Sequence, residues 1–389
     1  MPKLHNLLIS LVSDQRMQNV LPVFHREFCF DNVLLLASAQ RNNRNKINPR
    51  YQNIATDLAG AIGKQVDVRL HPEPVDPYDP ESTRSILNNL IENLPSDTEV
   101  TVNFTGGTKP MAVGAYLAAE DHELSQLYVD TFNERFLVYE PTGVMRVVNF
   151  QLEGLTIPIY LKAHHRNINY NRSNTHNFSS HELAIAKAII NLGDKGLNIA
   201  DRFHSKTFQK DTFIRIKIPR SLRLVLEEAS FFEDGYLTKS GNAYFRTGRW
   251  LEAFAYQILQ ASGKFAHVNG PTIFESPGRN DDQISVTNEI DILALYQGKL
   301  GLIECKTRLR RYERSNKQSS IPQDALSKLK ALQDVSAGLF GKGFVVTAQF
   351  GSKLSSVVYE RAHEYRLTII PRENLMSLPE LVRSGISQR

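Results

Sequence analysis

Short apolar segments alternate with amphipathic stretches along the first part of the chain. The apolar segments have the length of strands, and the stretches between them repeat apolar residues at helical spacing. This alternation predicts βαβ units and a mostly parallel sheet covered by helices on both faces. The predicted strands are LHNLLISLV, DNVLLLASA, QVDVRL and TEVTVNF, and the predicted helices cover residues 15–28, 51–62, 81–94 and 111–119.

The pattern changes after residue 160. Residues 162–178 read KAHHRNINYNRSNTHNF, which is polar and lacks periodicity, so we predict a linker in which His164 and His165 are solvated. Ser179 followed by Glu182 three residues later is a capping-box pattern and predicts the start of a helix. A second helix in RSLRLVLEEASFF and a hairpin in GYLTKSGNAYF would complete a small connector that resembles a winged helix.

The last part begins with TGRWLEAFAYQILQASG, whose apolar residues form one helical stripe. Two predicted strands follow, NEIDILALY and LGLIECKT, joined by a short turn at residues 297–299. A helix over residues 323–334, the strand KGFVVTA, a helix over residues 354–363 and the strand YRLTII complete a second α/β unit. The predicted domains therefore cover residues 1–160, 161–245 and 246–389.

The composition limits which cellular compartment and which binding partners are expected. A length of 389 residues suits two or three domains. Cys29 and Cys305 are the only cysteines, which excludes a disulfide framework and a CxxC metal site and favours a reducing compartment. The sequence has neither a signal-peptide pattern nor an apolar run of about 20 residues, so we expect a cytoplasmic protein with no membrane partner. The net charge of +5 is compatible with a polyanionic partner.

Two acids and a lysine lie on the paired strands of the last domain. Side chains alternate across a strand, so Glu304 and Lys306 share one face of LGLIECKT, and a hairpin brings Asp291 of the preceding strand beside them. Two adjacent carboxylates repel each other unless a cation lies between them, and Mg²⁺ or Mn²⁺ prefers such oxygen ligands. A lysine there helps to generate hydroxide or to stabilise charge on a phosphate under attack.

The spacing of Asp291 and the ECK segment resembles the PD-(D/E)xK nuclease superfamily. The resemblance implies a restriction-endonuclease-like fold in which Asp291, Glu304 and the backbone carbonyl of Cys305 bind the metal and Lys306 assists catalysis. An acid from the preceding helix often joins the family's site, and Glu252 in GRWLEAF occupies that place. Ile290 stands where many members have proline, a variation that leaves this chemistry intact.

A basic tract, KTRLRRYERSNK, directly follows the ECK strand. Its place beside the two acids favours contacts with substrate phosphates, and Tyr312 is available to stack on a base. The alternative is an ordinary solvated basic surface. The cations of the tract are Lys306, Arg308, Arg310, Arg311, Arg314 and Lys317.

A glycine loop lies between a predicted strand and a predicted helix in TVNFTGGTKPM. Gly106 and Gly107 let backbone amides approach an anion, and the helix start adds a favourable dipole. Thr105, Thr108 and Lys109 supply further donors. The loop is neither a Walker A motif nor a GxGxxG fingerprint, and a plain tight turn is the alternative interpretation.

Together with the first strand, which ends in SLVSDQR, this loop resembles the CARF sensor domain of type III CRISPR ancillary proteins. The whole chain resembles the cyclic-oligoadenylate-activated CARF nucleases: a Rossmann-like sensor, a small connector and a PD-(D/E)xK effector. The resemblance implies a homodimer that cleaves DNA or RNA, with a cyclic oligoadenylate, expected to be the tetramer, held across the two sensors. Its ligand contacts fall on Ser13, Asp14 and Gln15 and on Thr105, Gly106, Gly107, Thr108 and Lys109.

Two other functions fit part of this pattern. One is a ligand-responsive regulator whose connector binds DNA and whose nuclease lobe is inert. The intact set of Asp291, Glu304 and Lys306 argues against it. The other is an unregulated repair or restriction nuclease whose first domain binds a mononucleotide. Metal-dependent cleavage measured with and without cyclic oligoadenylate separates the three.

Overall fold

The computed structural model describes residues 5–205, 218–276, 286–309, 321–336 and 341–387. It divides into two units, Met1–Asn167 and Ile168–Arg389. Within the described ranges, no helix is both long enough and apolar enough to cross a bilayer.

The first unit is built on one seven-stranded sheet with helices along the chain between its strands. The strands of the unit are β1 His5–Leu11, β2 Asn32–Leu36, β3 Ala39–Gln40, β4 Asn43–Ile47, β5 Asp67–Leu70, β6 Thr98–Asn103, β7 Ser125–Asp130, β8 Arg135–Tyr139 and β9 Met145–Asn149. Of these, β3 and β4 pair with each other outside the large sheet. Its helices are α1 Met17–Val20, α2 Pro49–Ile62, α3 Pro80–Glu92, α4 Lys109–Asp121 and α5 Ile157–Ala163.

The order of the large sheet is β5-β2-β1-β6-β7-β8-β9. The first five strands in this order are parallel, while β8 and β9 are added in antiparallel fashion. The strand order reverses between β1 and β6, so the loops after these two strands flank the crevice where such sheets bind ligands. The Rossmann-like prediction is confirmed, and β8 and β9 are an addition that the sequence pattern did not reveal.

One helix prediction in this unit is wrong. Residues 15–28 do not form a continuous helix: α1 covers four residues and passes into a 3₁₀ turn at Leu21–Phe24. Pro22 lies in that turn, and proline lacks the N–H that a continuing helix needs. The four predicted strands and the other three predicted helices are confirmed.

The second unit begins with helices and continues into the nuclease sheet, and the short strand β10, Asn167–Ile168, lies at the boundary of the units. The helices are α6 Tyr170–His176, α7 Ser180–Asn191, α8 Asp194–Ser205, α9 Arg220–Glu228, α10 Lys239–Thr247, α11 Arg249–Ala261, α12 Ile321–Ser336, α13 Ser356–Glu364 and α14 Leu378–Ser387. The strands are β11 Phe232–Glu233, β12 Tyr236–Leu237, β13 His267–Asn269, β14 Thr272–Ser276, β15 Val286–Ile290, β16 Ile292–Tyr296, β17 Lys299–Lys306, β18 Lys342–Thr347 and β19 Leu367–Ile370.

The nuclease sheet has the order β13-β16-β17-β18-β19, with β17, β18 and β19 parallel. The turn between β16 and β17 is the predicted hairpin, with both central residues in the left-handed region (Gln297 at φ 46° and Gly298 at φ 72°). The predicted strand NEIDILALY is divided at Asp291: β15 pairs with β14 in a separate hairpin, and β16 joins the central sheet.

The connector differs in part from its prediction. The capping box of Ser179 and Glu182 is present at the start of α7. The segment 235–245 is only partly a hairpin, because Thr238 caps α10 and the rest of the segment is helical. Residues 162–178 are not a plain linker, since they include the end of α5 and all of α6. The connector helices share one apolar core with α11 and the nuclease sheet, so a separate connector domain stays a prediction.

Candidate functional site

The strand ends bring together the three residues of the predicted centre. Lys306 Nζ lies 2.7 Å from Glu304 Oε1 and 3.9 Å from Asp291 Oδ2. The backbone N–H of Cys305 donates a hydrogen bond of 2.7 Å to Asp291 Oδ2. Asp291 and Glu304 are both buried, and the Lys306 side chain is 38% exposed. The site is therefore two buried carboxylates with one lysine at their open side.

Glu252, the fourth predicted member, lies in the first turn of α11. Its charge influences the pKa of Asp291, and the charges of Lys306 and Glu304 influence its own, so it belongs to the same electrostatic cluster. Burial raises the pKa of Glu252, and Arg249 and Lys306 offset part of that rise. The helix therefore adds a third acid to the electrostatic environment of the strand residues.

Burial and mutual repulsion act on the carboxylates. Burial and the neighbouring charges of Glu304 and Glu252 together raise the pKa of Asp291 to about 7, against the opposing effects of Lys306 and the Cys305 hydrogen bond. Burial alone would lower the pKa of Lys306, but Glu304 and Asp291 outweigh it, so that pKa is raised and the lysine is charged at neutral pH. The acids Asp291, Glu304 and Glu252 therefore repel one another more than Lys306 alone compensates, and a bound cation would reduce this repulsion.

A divalent cation fits the donors at this place. Glu304 Oε2 is buried and has no hydrogen-bond partner among the described residues. Asp291 and Glu304 offer carboxylate oxygens, and Mg²⁺ and Mn²⁺ prefer oxygen ligands. In the described parts of the chain, no three His, Cys, Asp or Glu side chains are grouped closely enough to hold a metal by themselves. A site here would therefore draw on backbone or water oxygens as well, in keeping with the predicted carbonyl of Cys305.

Two positively charged residues at the site, Lys328 and Arg249, were not predicted from the sequence. Lys328 of α12 places Nζ 3.4 Å from Glu304 Oε1, on the same oxygen that Lys306 contacts. Arg249 contacts Glu252 at 3.4 Å and Glu182 at 2.9 Å, and its guanidinium lies over the ring of Phe178. A lysine seven residues into a helix and an arginine next to a glutamate carry no distinctive motif. Only the folded contacts identify them.

The basic tract after β17 is described only at its start. Arg308 is exposed, two residues beyond Lys306. The remaining predicted phosphate contacts and Tyr312 lie outside the described residues, so their role stays a prediction. Those outside are Arg310, Arg311, Tyr312, Arg314 and Lys317.

In the first unit, the loops after β1 and β6 form a pocket of about 250 Å³. Most of the predicted ligand contacts line it, together with three further polar side chains, Gln18, Ser38 and Tyr51, and the apolar Val12 and Met111. Asp14 forms an ion pair of 2.7 Å with Arg50, so the charge of this lining acid is partly neutralised by an arginine. The predicted residues in the lining are Ser13, Asp14, Gln15, Thr105, Gly107 and Thr108.

The loop donors are partly committed to the fold. The Thr105 hydroxyl bonds to Asn103 and accepts from the N–H of Val129, and Thr108 caps α4. A side chain at Gly106 would approach the carbonyl oxygen of Leu11 to 2.1 Å, so this glycine serves close packing between the loop and β1. Gly107 takes a left-handed conformation at φ 72°.

Lys109 is the first residue of α4 and is exposed, but it does not line this pocket. Its predicted contact with a ligand therefore requires that the ligand extend beyond the pocket.

Family comparisons agree with both units. Residues 7–157 match the family described as the Card1 CARF domain, and residues 240–387 match the Card1-like endonuclease domain. The chain belongs to the CARF-domain nucleases of the Card1 type. These findings confirm the predicted combination of a CARF domain and an endonuclease domain. Sequence comparison with curated proteins gives no match.

Solved structures share the architecture. Can2 from Sulfobacillus thermosulfidooxidans, in complex with cyclic tetra-adenylate, is 21% identical with a TM-score of 0.67, covering 97% of this chain and 99% of its own. Protein VC1899 from Vibrio cholerae is 18% identical with a TM-score of 0.70, covering 98% and 99%. A type III CRISPR defence DNA nuclease activated by cyclic oligoadenylate is 18% identical with a TM-score of 0.55, covering 89% and 46%. At these identities the likeness establishes the fold.

Proposed function

We propose that this chain is a metal-dependent endonuclease that cyclic oligoadenylate switches on in type III CRISPR defence. The nuclease activity is inferred from two buried acids that lie side by side, Glu304 and Asp291. One Glu304 oxygen contacts Lys306, and the other has no hydrogen-bond partner among the described residues. The substrate is DNA, RNA or both.

Asp291, Glu304 and the carbonyl of Cys305 would hold Mn²⁺ or Mg²⁺, which supplies an activated water and neutralises phosphate charge. The chain's own residues do the positioning. The Cys305 N–H holds the Asp291 carboxylate in place, and Lys306 presents a fixed positive charge to the phosphate at the open side of the site. Glu252 contributes negative charge from α11, held by Arg249.

The activator would bind at the loops after β1 and β6, and Can2, which shares this fold, is solved in complex with cyclic tetra-adenylate. A pocket of about 250 Å³ falls below the roughly 300 to 1,000 Å³ of sites that enclose a drug-sized ligand. One copy would therefore enclose only part of a cyclic tetranucleotide. We infer that a second copy of the chain holds the rest and that the working form is a homodimer.

Cleavage of plasmid DNA and single-stranded RNA tests this function, measured with Mn²⁺, with Mg²⁺ or with a chelator, and with and without cyclic tetra-adenylate. We expect metal-dependent cleavage that the activator stimulates, because the ligand favours the cleaving arrangement by its tighter binding to it. Equal cleavage with and without the activator would support the alternative of an unregulated nuclease. No cleavage under any condition, with the activator still bound, would favour the regulator with an inert lobe.

A further inference from the structure

A second pocket, of about 140 Å³, lies at one edge of the nuclease sheet. The residues that follow β17 and those that follow β18 form it together with one side chain of α8. Its lining is Asp201, Arg308, Ala348, Gln349, Phe350 and Lys353. We call it the edge pocket.

The edge pocket adjoins the proposed catalytic centre. β17 and β18 are parallel, and Lys306 is the register partner of Thr347. Arg308 follows Lys306 by two residues and Phe350 follows Thr347 by three, so both leave the sheet at the same edge. Even fully extended, two or three residues span at most roughly 7 to 11 Å, so both side chains start within that distance of the two strand ends. A nucleotide next to the scissile phosphate extends over such a distance.

The edge pocket presents an aromatic ring among cations. Phe350 is 40% exposed, although it is a large apolar side chain. The guanidinium of Arg372 lies 4.8 Å from its ring centroid and the Lys353 ammonium 5.7 Å. Arg372 is itself buried and held by Asn198 at 2.7 Å and Asp201 at 3.2 Å. One contact of the ring is thus fixed by the fold while much of its surface stays open.

The wall of the edge pocket is also fixed. The side-chain oxygen of Gln349 accepts a hydrogen bond from the backbone N–H of Leu309, which ties the segment after β18 to the segment after β17. Leu309 and Ala348 are buried beneath this bond. Among the lining side chains, Arg308 and Lys353 outnumber the single acid, Asp201, whose carboxylate is already paired with Arg372, so the edge pocket attracts an anion. A stacking ring with flanking cations is the combination that binds a nucleotide of a single strand.

We propose that the edge pocket binds the nucleotide adjacent to the scissile phosphate, with its base stacked on Phe350 and its phosphate held by Arg308 and Lys353. This inference rests on the proposed nuclease function, because it assigns the edge pocket to the same substrate. It adds a subsite outside the metal centre, and this subsite would select substrates whose base at that position is unpaired and free to stack.

Binding of a single-stranded 20-mer tests the stacking contact. The probe is a fluorescent DNA or RNA of mixed sequence, whichever the parent cleaves, titrated by anisotropy with the full chain in chelator. We expect Phe350→Ala to weaken binding about five- to a hundredfold, and Phe350→Trp to restore it, because any large ring offers a stacking face. Tyr170→Ala, which removes another exposed aromatic of the same unit, should leave binding unchanged.

Abasic substitutions locate the base. Moving one abasic nucleotide along the probe should weaken parent binding most at a single position beside the cleaved bond. The same substitution should add no further loss in Phe350→Ala, because the two changes remove one contact. Arg308→Ala with Lys353→Ala should reduce the slope of log affinity against log salt, whereas Lys195→Ala, at an exposed lysine of α8, should not.

The outcomes separate this inference from the proposed function. If the parent cleaves and Glu304→Ala does not, the metal centre stands. If Phe350→Ala and the double variant of Arg308→Ala with Lys353→Ala then bind the 20-mer within twofold of that parent, the edge pocket alone is rejected. Additive losses from the abasic position and Phe350→Ala would also reject it. If the parent cleaves neither DNA nor RNA, the proposed function fails, and binding of the 20-mer that still depends on Phe350 would show a nucleic-acid site without cleavage.

Discussion

The Asp291 carboxylate accepts a 2.7 Å hydrogen bond from the backbone N–H of Cys305, the residue between Glu304 and Lys306. The bond lies where β15 ends and β16 begins, just beyond the last ladder pair of β16 and β17, Ile292 with Ile303. It fixes the first acid against the strand that carries the second, which is the arrangement that the proposed shared metal site needs.

Removal of either buried acid should abolish most cleavage. Glu304→Ala removes a proposed metal ligand, and Asp291→Asn removes the charge of the other while its amide oxygen still accepts from Cys305. We expect each to lower the cleavage rate at least about a hundredfold in Mn²⁺ or Mg²⁺. Initial rates of plasmid nicking measure the effect.

The exposed carboxylate of Glu289 in β15 provides the matched control. Glu289→Gln should cleave as the parent does, because it removes an acid of the neighbouring strand without touching the site. Near-parent nicking by purified Glu304→Ala would contradict the assignment of the centre.

The two lysines on Glu304 should differ in effect. Lys306 lies 2.7 Å from Glu304 Oε1 and also near Asp291, whereas Lys328 lies 3.4 Å away with its side chain 44% exposed. One ion-pair contact from a half-exposed lysine at this longer distance is worth about 1 kcal/mol or less, so Lys328→Ala should cost about fivefold in rate or less. Lys306→Ala should cost far more. Equal losses in single-turnover cleavage would mean that Lys328 also contacts the reacting phosphate.

Local patterns predicted those elements that a single short segment determines. The Ser179 and Glu182 capping box and the Gln297–Gly298 turn form within four residues, so their chemistry is visible in sequence. The pairing of Asp291 with Glu304 and Lys306 was also predictable, because the tight turn fixes the register between β16 and β17.

Contacts between distant segments were not predictable from one sequence. Lys328 reaches Glu304 through the placement of α12 beside the sheet, and Gln18, Ser38 and Tyr51 enter the sensor pocket from three separate elements. The break at Asp291 was hidden because NEIDILALY reads as one apolar strand, although its halves pair in different sheets. Tertiary packing decided each of these cases, and no local propensity reports it.

Sensing should be separable from cutting at Lys109. This exposed lysine is the first residue of α4, next to the pocket loop, so its substitution would remove one ion pair with a phosphate of the activator. We expect Lys109→Ala to weaken binding of cyclic tetra-adenylate about ten- to a hundredfold in calorimetric titration and to leave basal cleavage unchanged. Lys64→Ala, at another exposed lysine of this unit, is the control. Parent-like affinity in Lys109→Ala would place the phosphate contact elsewhere.

Gly106 should respond differently from Lys109. A Cβ at this position would approach the Leu11 carbonyl oxygen to 2.1 Å, so Gly106→Val must displace β1 or its own loop. We expect a lower melting temperature of the first unit, with loss of activator binding as a consequence. Unchanged thermal unfolding in Gly106→Val, measured by calorimetry beside the parent, would show that the loop relaxes without cost.

Acid should destabilise the first unit through His164, which is not the solvated linker histidine of the prediction. Its ring stacks on Tyr160 at 4.5 Å between centroids, and its Nδ1 lies 2.9 Å from the Tyr160 carbonyl oxygen. Burial, with the charges of Arg16 and Arg166, lowers the pKa of His164 to about 4, although the hydrogen bond to the Tyr160 carbonyl and the charge of Asp57 oppose the shift. The folded protein therefore keeps this ring neutral where an unfolded chain would protonate it.

The lowered pKa of His164 means that the folded state binds fewer protons than the unfolded state, so the free energy of unfolding falls as the pH falls. The contribution of the neutral ring is fully present above the unfolded pKa of about 6.5, and it is lost as the pH falls from there toward the folded pKa of about 4. Between pH 8 and pH 5 this single group should cost about 2 kcal/mol of unfolding free energy. Urea unfolding of the parent and His164→Gln at both pH values measures it. The variant should lose about 2 kcal/mol less than the parent, whereas His181→Gln, at an exposed histidine, should lose as much as the parent. The same acid sensitivity in His164→Gln and the parent would assign the effect to other groups.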